Sequence, residues 1–307
     1  MTTAIDLFAG LGGWSTGARM AGARVLWAAN HWPKAVEWHS ANHPDTAHAC
    51  QDLQQANWAD VPAHDLLLAS PCCQGHSKAR GKLSGNPQHD ASRSTAWAVV
   101  SALEYHRTAA GLLENVAEFM SWALYPAWAM AIEALGYRIA PHLVDCADLG
   151  VPQNRQRLFL VLTRSASPLF LKLPQLEHVA ASSFIDFNAG TWSSIDKPGR
   201  AAATLERVRN GRQAFGERFI MPYYGRGSGT TGRSLARPIG TITTRDRWAL
   251  VDGDRMRMLS ADEALLAQSF PADTKRPTQH ALTLHLAGNA VPPLAGAHVI
   301  KALQAAA

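Results

Sequence analysis

Short continuous apolar runs and amphipathic stretches alternate through the first half of the chain. Ala4-Ile5-Asp6-Leu7-Phe8, Val25 to Asn30, Asp65 to Ala69, Ala109 to Leu113 and Leu158 to Leu162 have the length and density of strands buried on both faces. Cys50-Gln51-Asp52-Leu53 reads as the end of a further strand. Helical periodicity covers Ala96–Tyr105 and Trp122–Leu135, with Gly136 placed as a stop. This alternation predicts an α/β fold built on a doubly wound, mostly parallel sheet. Ser165-Ala166-Ser167-Pro168 then marks a composition shift, after which short strands and Gly-rich turns run to about Pro277. Arg237 to Thr244 alternates like an exposed strand. Gly288 to Pro293 leads into a last helix, Leu294–Leu303, expected to pack against the first glycine-rich segment. The expected division is therefore a discontinuous large domain, 1–165 plus 284–307, and a smaller β-rich domain, 166–283.

In open α/β sheets ligands sit outside the carboxyl ends of the strands, so the residues just after each apolar run carry the most information. After the first run, Gly10, Gly12 and Gly13 form a glycine-rich turn into a helix, suited to close approach of an adenosine-type cofactor. Asn30 and His31 follow the second run, where such folds carry a ribose-binding carboxylate. Asp52 is placed either to accept from an adenine amino group or to cap a turn. Ser70-Pro71-Cys72-Cys73-Gln74-Gly75-His76-Ser77 is either a nucleophile loop or a tight turn with two small thiols. Glu114, at another strand end, either faces the same cleft or pairs with a surface cation. Arg155 and Arg157 alternate into Leu158–Leu162, so both are expected on one face, suited to phosphate or carbonyl recognition or to salt bridges. Lys78 to Ser94 lacks periodicity and is rich in Gly, Ser and cations, the composition of a functional lid or a disordered segment.

Composition narrows the class. The 307 residues are 47% hydrophobic and 17% charged, with no apolar stretch long enough to span a bilayer. Met1 to Asp6 lacks the form of a signal peptide, and Cys50, Cys72, Cys73 and Cys146 suit neither a disulfide framework nor a zinc knuckle. A reducing, cytoplasmic enzyme is expected. The net charge of +5 is unevenly spread: Val151–Leu250 carries +9 and the remainder −4. That localises either an anion-binding surface or a solvated basic face to the second half.

Taken in order, six segments resemble the cytosine-C5 DNA methyltransferase family. Asp6-Leu7-Phe8-Ala9-Gly10-Leu11-Gly12-Gly13 resembles its cofactor loop, and Pro71-Cys72-Cys73-Gln74-Gly75-His76-Ser77 its Pro-Pro-Cys-Gln-x-Phe-Ser nucleophile loop. Glu114-Asn115-Val116 is identical to the Glu-Asn-Val motif, and Gln153-Asn154-Arg155-Gln156-Arg157 fits Gln-x-Arg-x-Arg. Arg237 to Thr244 resembles the strand that organises the small domain, and Gly288 to Pro293 the closing motif.

The resemblance implies transfer of a methyl group from S-adenosylmethionine to C5 of a cytosine flipped out of double-stranded DNA, without a metal. It makes Cys73 the nucleophile, favoured as thiolate by nearby cations, with Glu114 at N3, Arg157 at O2, and Arg155 on a phosphate or the closed lid. It assigns the cofactor to Asp6, Phe8, Ala9, Gly10, Leu11, Gly13, Asn30, His31, Trp32, Asp52, Leu53, Pro71, Asn289 and Val291. Nucleic-acid contacts are expected from Gln74, Ser77, Lys78, Arg93, Tyr224, Arg226, Arg237 and Thr244. Three residues depart from the pattern: Cys72 replaces a proline, His76 a Phe, and His31 the ribose-binding acid. A neutral imidazole accepts one ribose hydrogen bond where a carboxylate accepts two. An RNA cytosine methyltransferase and a catalytically silent DNA-binding regulator are the competing readings, and a monomer is expected.

Overall fold

The computed structural model describes residues 1–72, 94–223 and 229–306. Cys73, Gln74, Ser77, Lys78, Arg93, Tyr224, Arg226 and the expected lid, except for its last residue Ser94, lie outside the described residues. The chain forms two compact units: Met1–Cys146 with Gln156–Gln175 and Val291–Ala307, and Ala147–Arg155 with Leu176–Ala290.

The first unit is built on seven strands: β1 (Thr3–Leu7), β2 (Arg24–Asn30), β3 (Ala47–Cys50), β4 (Leu66–Ala69), β5 (Ala110–Asn115), β6 (Arg138–Asp145) and β7 (Gln156–Thr163). Their order is β3-β2-β1-β4-β5-β7-β6, all parallel except β7, which runs antiparallel to both neighbours. The apolar runs explain the order. All four residues of β4 are buried, and four of five in β1, so these strands need cover on both faces and take the centre. Helices α1 (Gly13–Met20), α2 (Pro33–Asn42), α3 (Trp97–His106) and α4 (Tyr125–Ala134) supply it. One continuous core joins Ile5, Leu7, Leu67, Leu113 and Leu160 to Val99, Leu103, Trp128 and Ile132. Trp128 buries its ring completely and donates its indole N–H to Ala96 O at 3.0 Å, so the apolar area carries no unpaired donor. Gly136, at φ 89°, ends α4's segment where the periodicity predicted a stop.

The second unit carries an antiparallel sheet, ordered β8-β11-β10-β9, from β8 (Ser193–Ser194), β9 (Arg218–Pro222), β10 (Trp248–Asp252) and β11 (Arg255–Met258). It also contains α5 (Ala202–Phe215), α6 (Ala261–Ala267) and α7 (His280–Asn289), which the β-rich expectation did not include. The apolar positions of α5 are diluted by Arg207, Arg209 and Arg212, which weakens its periodicity. Arg237 to Thr244 is not an exposed strand. It makes a single bridge, Gln153 with Ile239, and buries Ile239 and Ile242 to 0% and 3% exposure. Its alternation reflects packing into the unit's own core.

The chain returns to the first unit with α8 (Pro293–Ala306). α8 approaches α1 closely enough that a Cβ at Gly17 would lie 2.7 Å from Pro293 O, and one at Gly13 would strike the Val291 backbone. In return, Gly296 lies against the Trp14 ring. The helix expected at Leu294–Leu303 packs where the sequence placed it.

Candidate active site

The first unit gathers most of the cofactor candidates at one edge of its sheet, because β1 to β4 are parallel and end together. After β1 the chain turns through Phe8, at φ 62°, and Gly12, at φ 95°, into α1. A side chain at Gly12 is excluded twice, by this left-handed backbone and by His43 behind it. At Gly10 a Cβ would meet nothing within 4 Å, so that side of the loop is open. α1 has neither a side-chain cap nor an acid in its first turn, which leaves its positive end available to an anion. Asn30 fastens the neighbouring turn: its Nδ2 donates to Ala9 O at 3.4 Å, and its Oδ1 accepts from Trp32 N at 2.9 Å. His31 is exposed beside it. Asp52 lies beyond β3 and caps a short turn, accepting from Gln54 N at 3.0 Å, while Leu53 is buried.

Asp6 differs from the other cofactor candidates. It is 1% exposed, accepts from Ser15 Oγ at 2.7 Å, and lies 3.8 Å from His39 Nε2. It therefore braces the loop from behind. Three histidines complete the brace: His39 Nε2 is 3.0 Å from Ser15 Oγ, His39 Nδ1 is 2.7 Å from His48 Nε2, and His43 Nε2 is 3.3 Å from Thr16 Oγ1. Burial, helped by His39 and Arg19, pushes His43 down to about 3 against a hydrogen bond involving the Gly12 backbone; burial also lowers His48. Sequence reading missed this cluster; its signal was the i, i+4 spacing of His39, in the last turn of α2, and His43, its C-cap.

The catalytic candidates lie on adjacent strands. β4 ends at Ala69, whose carbonyl accepts from Trp14 Nε1 at 3.3 Å, so α1 is tied to the start of the cysteine loop. Asn115, 1% exposed, donates from Nδ2 to Pro71 O at 3.2 Å. That bond joins two segments 44 residues apart and brings the Glu114-Asn115 strand end to the cysteine loop. Glu114, on β5, and Arg157, on β7, form an ion pair of 2.9 Å with both side chains largely buried. Of the two readings of Glu114, the pair is present, but with a buried cation.

Arg155 and Arg157 do not share a face. Arg155 precedes β7 and belongs to the second unit, 2% exposed, where it donates to Ile242 O at 3.0 Å, Gly288 O at 2.9 Å and Ala290 O at 3.2 Å. Strand alternation fails here because the strand begins only at Gln156. Arg155 thus clamps the backbone of its own unit. In the same unit Arg237 is exposed, Thr244 is half-buried, and Asn289 precedes the Ala290 carbonyl that Arg155 holds. Among the described residues, no group of three His, Cys, Asp or Glu side chains could hold a metal ion, and no helix is long and apolar enough to cross a membrane.

The model of the C-5 cytosine-specific DNA methylase family matches residues 2–193. The chain belongs to this family. Over 98% of its length it is 27% identical to the type II methyltransferase M1.HphI of Haemophilus parahaemolyticus, covering 86% of that protein. It is 28% identical to M.AplI of Arthrospira platensis, covering 98% of this chain and 85% of the relative. A solved Spodoptera frugiperda DNMT2 variant shares the fold with a TM-score of 0.71 at 15% identity, covering 99% of this methylase and 100% of that chain.

Proposed function

We propose that this methylase transfers a methyl group from S-adenosylmethionine to C5 of a cytosine flipped out of duplex DNA, through a covalent bond between Cys73 and C6. The observation that carries the reading is the buried Asn115–Pro71 hydrogen bond, which ties the cysteine loop to the strand end bearing Glu114. Residues 166–283 are then the target-recognition domain.

The first unit fits the cofactor. Gly10 leaves an open cradle, and the uncapped end of α1 suits a carboxylate. Phe8, Ala9, Leu11, Gly13, Asn30, His31, Trp32, Asp52, Leu53, Pro71 and Val291 would hold it, with Asn289 and with Asp6 acting from behind the loop. When bound, S-adenosylmethionine supplies the activated methyl group that C5 accepts.

C5 of cytosine is a weak nucleophile. Addition of the Cys73 thiolate at C6 converts the ring to an enamine whose nucleophilic carbon is C5. Charge develops on N3 and O2 as the ring gains electrons, and a proton held by Glu114 at N3 with an Arg157 donor at O2 offsets it. A base such as water then takes the C5 proton, and the electrons left behind restore the C5–C6 double bond as the C6–S bond breaks and releases the Cys73 thiolate. A base stacked in a duplex offers neither face of C6 to a thiolate, so the target must leave the stack.

Nucleoside mass spectrometry of duplex DNA and of tRNA, each incubated with protein and S-adenosylmethionine, tests the proposal. 5-Methylcytosine in DNA, absent with Cys73→Ala, is expected. Label on tRNA alone, or full activity of Cys73→Ala, would overturn it.

A further inference from the structure

Gln268 is 0% exposed, at the end of α6 and beyond the residues that the family model matches. Its side-chain oxygen accepts from Gln153 Nε2 at 2.9 Å, and its Nε2 donates to Ala287 O at 2.6 Å. Gln153, also 0% exposed, is the first residue of the Gln-x-Arg-x-Arg segment; its Oε1 accepts from Ile242 N at 2.6 Å. Its Nε2 donates a second time, to Ala267 O at 3.2 Å. The three links from Ile242 through Gln153 and Gln268 to Ala287 run donor to acceptor in one direction. Turning either amide over would set donor against donor and acceptor against acceptor. The network therefore has one arrangement.

Its far end reaches the segment assigned to the cofactor. Gln268 holds the carbonyl of residue 287, and Arg155 holds those of 288 and 290. Asn289 thus has anchored carbonyls on both sides, at a helix terminus with no basic residue of its own in the last turn. Close packing of Gly288 on Thr243 and Thr244 leaves no slack for another path.

We propose that Gln268 is a positioning residue for cofactor binding, setting the backbone on which Asn289 is carried. The proposal rests on the reading of Asn289 as a cofactor residue. Gln268 itself touches neither cofactor nor nucleic acid. Gln268→Met keeps the volume and removes both hydrogen bonds, releasing Ala287 and leaving Gln153 without its main acceptor. Gln268→Glu keeps the acceptor, and only its protonated carboxyl can donate to Ala287 O.

The test is calorimetric titration of S-adenosylmethionine into the full-length protein, alongside KM and kcat on duplex DNA. Gln268→Met should weaken cofactor affinity by about ten- to a hundredfold, with kcat at saturating cofactor and the KM for DNA within about threefold. Gln268→Glu should bind weakly at pH 8 and recover as pH falls, while wild type shows no such recovery. A folded Gln268→Met with wild-type affinity overturns the proposal. If it does not fold, Gln268→Glu with no pH-dependent recovery overturns it instead. Wild type that fails to bind S-adenosylmethionine, or Asn289→Ala that binds normally, removes the underlying cofactor reading and the proposal with it.

Discussion

Arg157 Nε lies 2.9 Å from Glu114 Oε1, the two side chains leaning together from antiparallel neighbours β7 and β5. In the proposed mechanism each group orients the other, and each contacts a different atom of one pyrimidine ring. Glu114→Gln and Arg157→Ala should each lower the single-turnover rate of methyl transfer by about 10²–10³-fold. Because they act as a pair, the double variant should be no more than about tenfold slower than the worse single variant. Additive losses would mean the ion pair is incidental to the chemistry.

The second unit contains a more deeply buried pair. Arg257 donates to both oxygens of Glu263 at 2.7 Å, with side chains 2% and 3% exposed, and Glu263 also completes a capping box with Ser260. Removing one partner strands a charge away from water. Arg257→Ala should cost about 3–5 kcal/mol in urea unfolding, and Arg257→Met with Glu263→Leu should recover part of it. A loss under about 1 kcal/mol for the single variant would show the site to be hydrated.

Acid should weaken the fold through the histidines behind the glycine-rich loop. His43 is held at about 3 when folded, against 6.5 when exposed. Between those values the unfolded chain binds more protons, so stability is present above the upper value and is lost as pH falls. His48, His64, His106 and His142 are lowered by burial as well and act with the same sign. Each group contributes a slope of up to about 1.4 kcal/mol per pH unit within its own window. Urea midpoints measured from pH 7.5 down to pH 4 should decline, and less steeply for His43→Gln. A flat profile would show that the cluster is solvated.

Close helix packing supplies a fourth prediction. Gly17→Val should lower stability by about 1–3 kcal/mol, because its new atoms meet the Pro293 and Ala297 backbone rather than a movable side chain. Gly136→Ala, where a Cβ would meet nothing, tests backbone strain alone and should cost less.

The parallel sheet was legible because β1, β4 and β5 are nearly uninterrupted apolar runs, and buried strands have few other ways to be written. Glycine spacing and the Glu114-Asn115-Val116 identity located the loops at their ends. What escaped the sequence depended on partners far along the chain. Arg155 looks like a strand residue until the carbonyls of Ile242, Gly288 and Ala290 are seen around it. Asp6 looks like a ligand group until Ser15 and His39 are found behind the loop. Gln268 has no pattern at all, since its place comes from the distant Gln153 amide and the Ala287 carbonyl, which no local periodicity encodes. In the second unit, arginines on α5 masked the helical repeat that its buried Thr204, Val208 and Gly211 carry.

The meeting of α1 with α8 also sets a timetable for the newborn chain. The face around Gly13 and Gly17 is synthesised well before its cover, which starts at Pro293, 276 residues after Gly17. At ribosomal rates of about 5–20 residues per second, that face stays bare for on the order of tens of seconds while the whole second unit is made. During translation the glycine-rich loop has its floor of histidines but lacks its lateral support. A chaperone that shields the nascent α1 segment would therefore matter more to the yield of this methylase than its finished stability suggests.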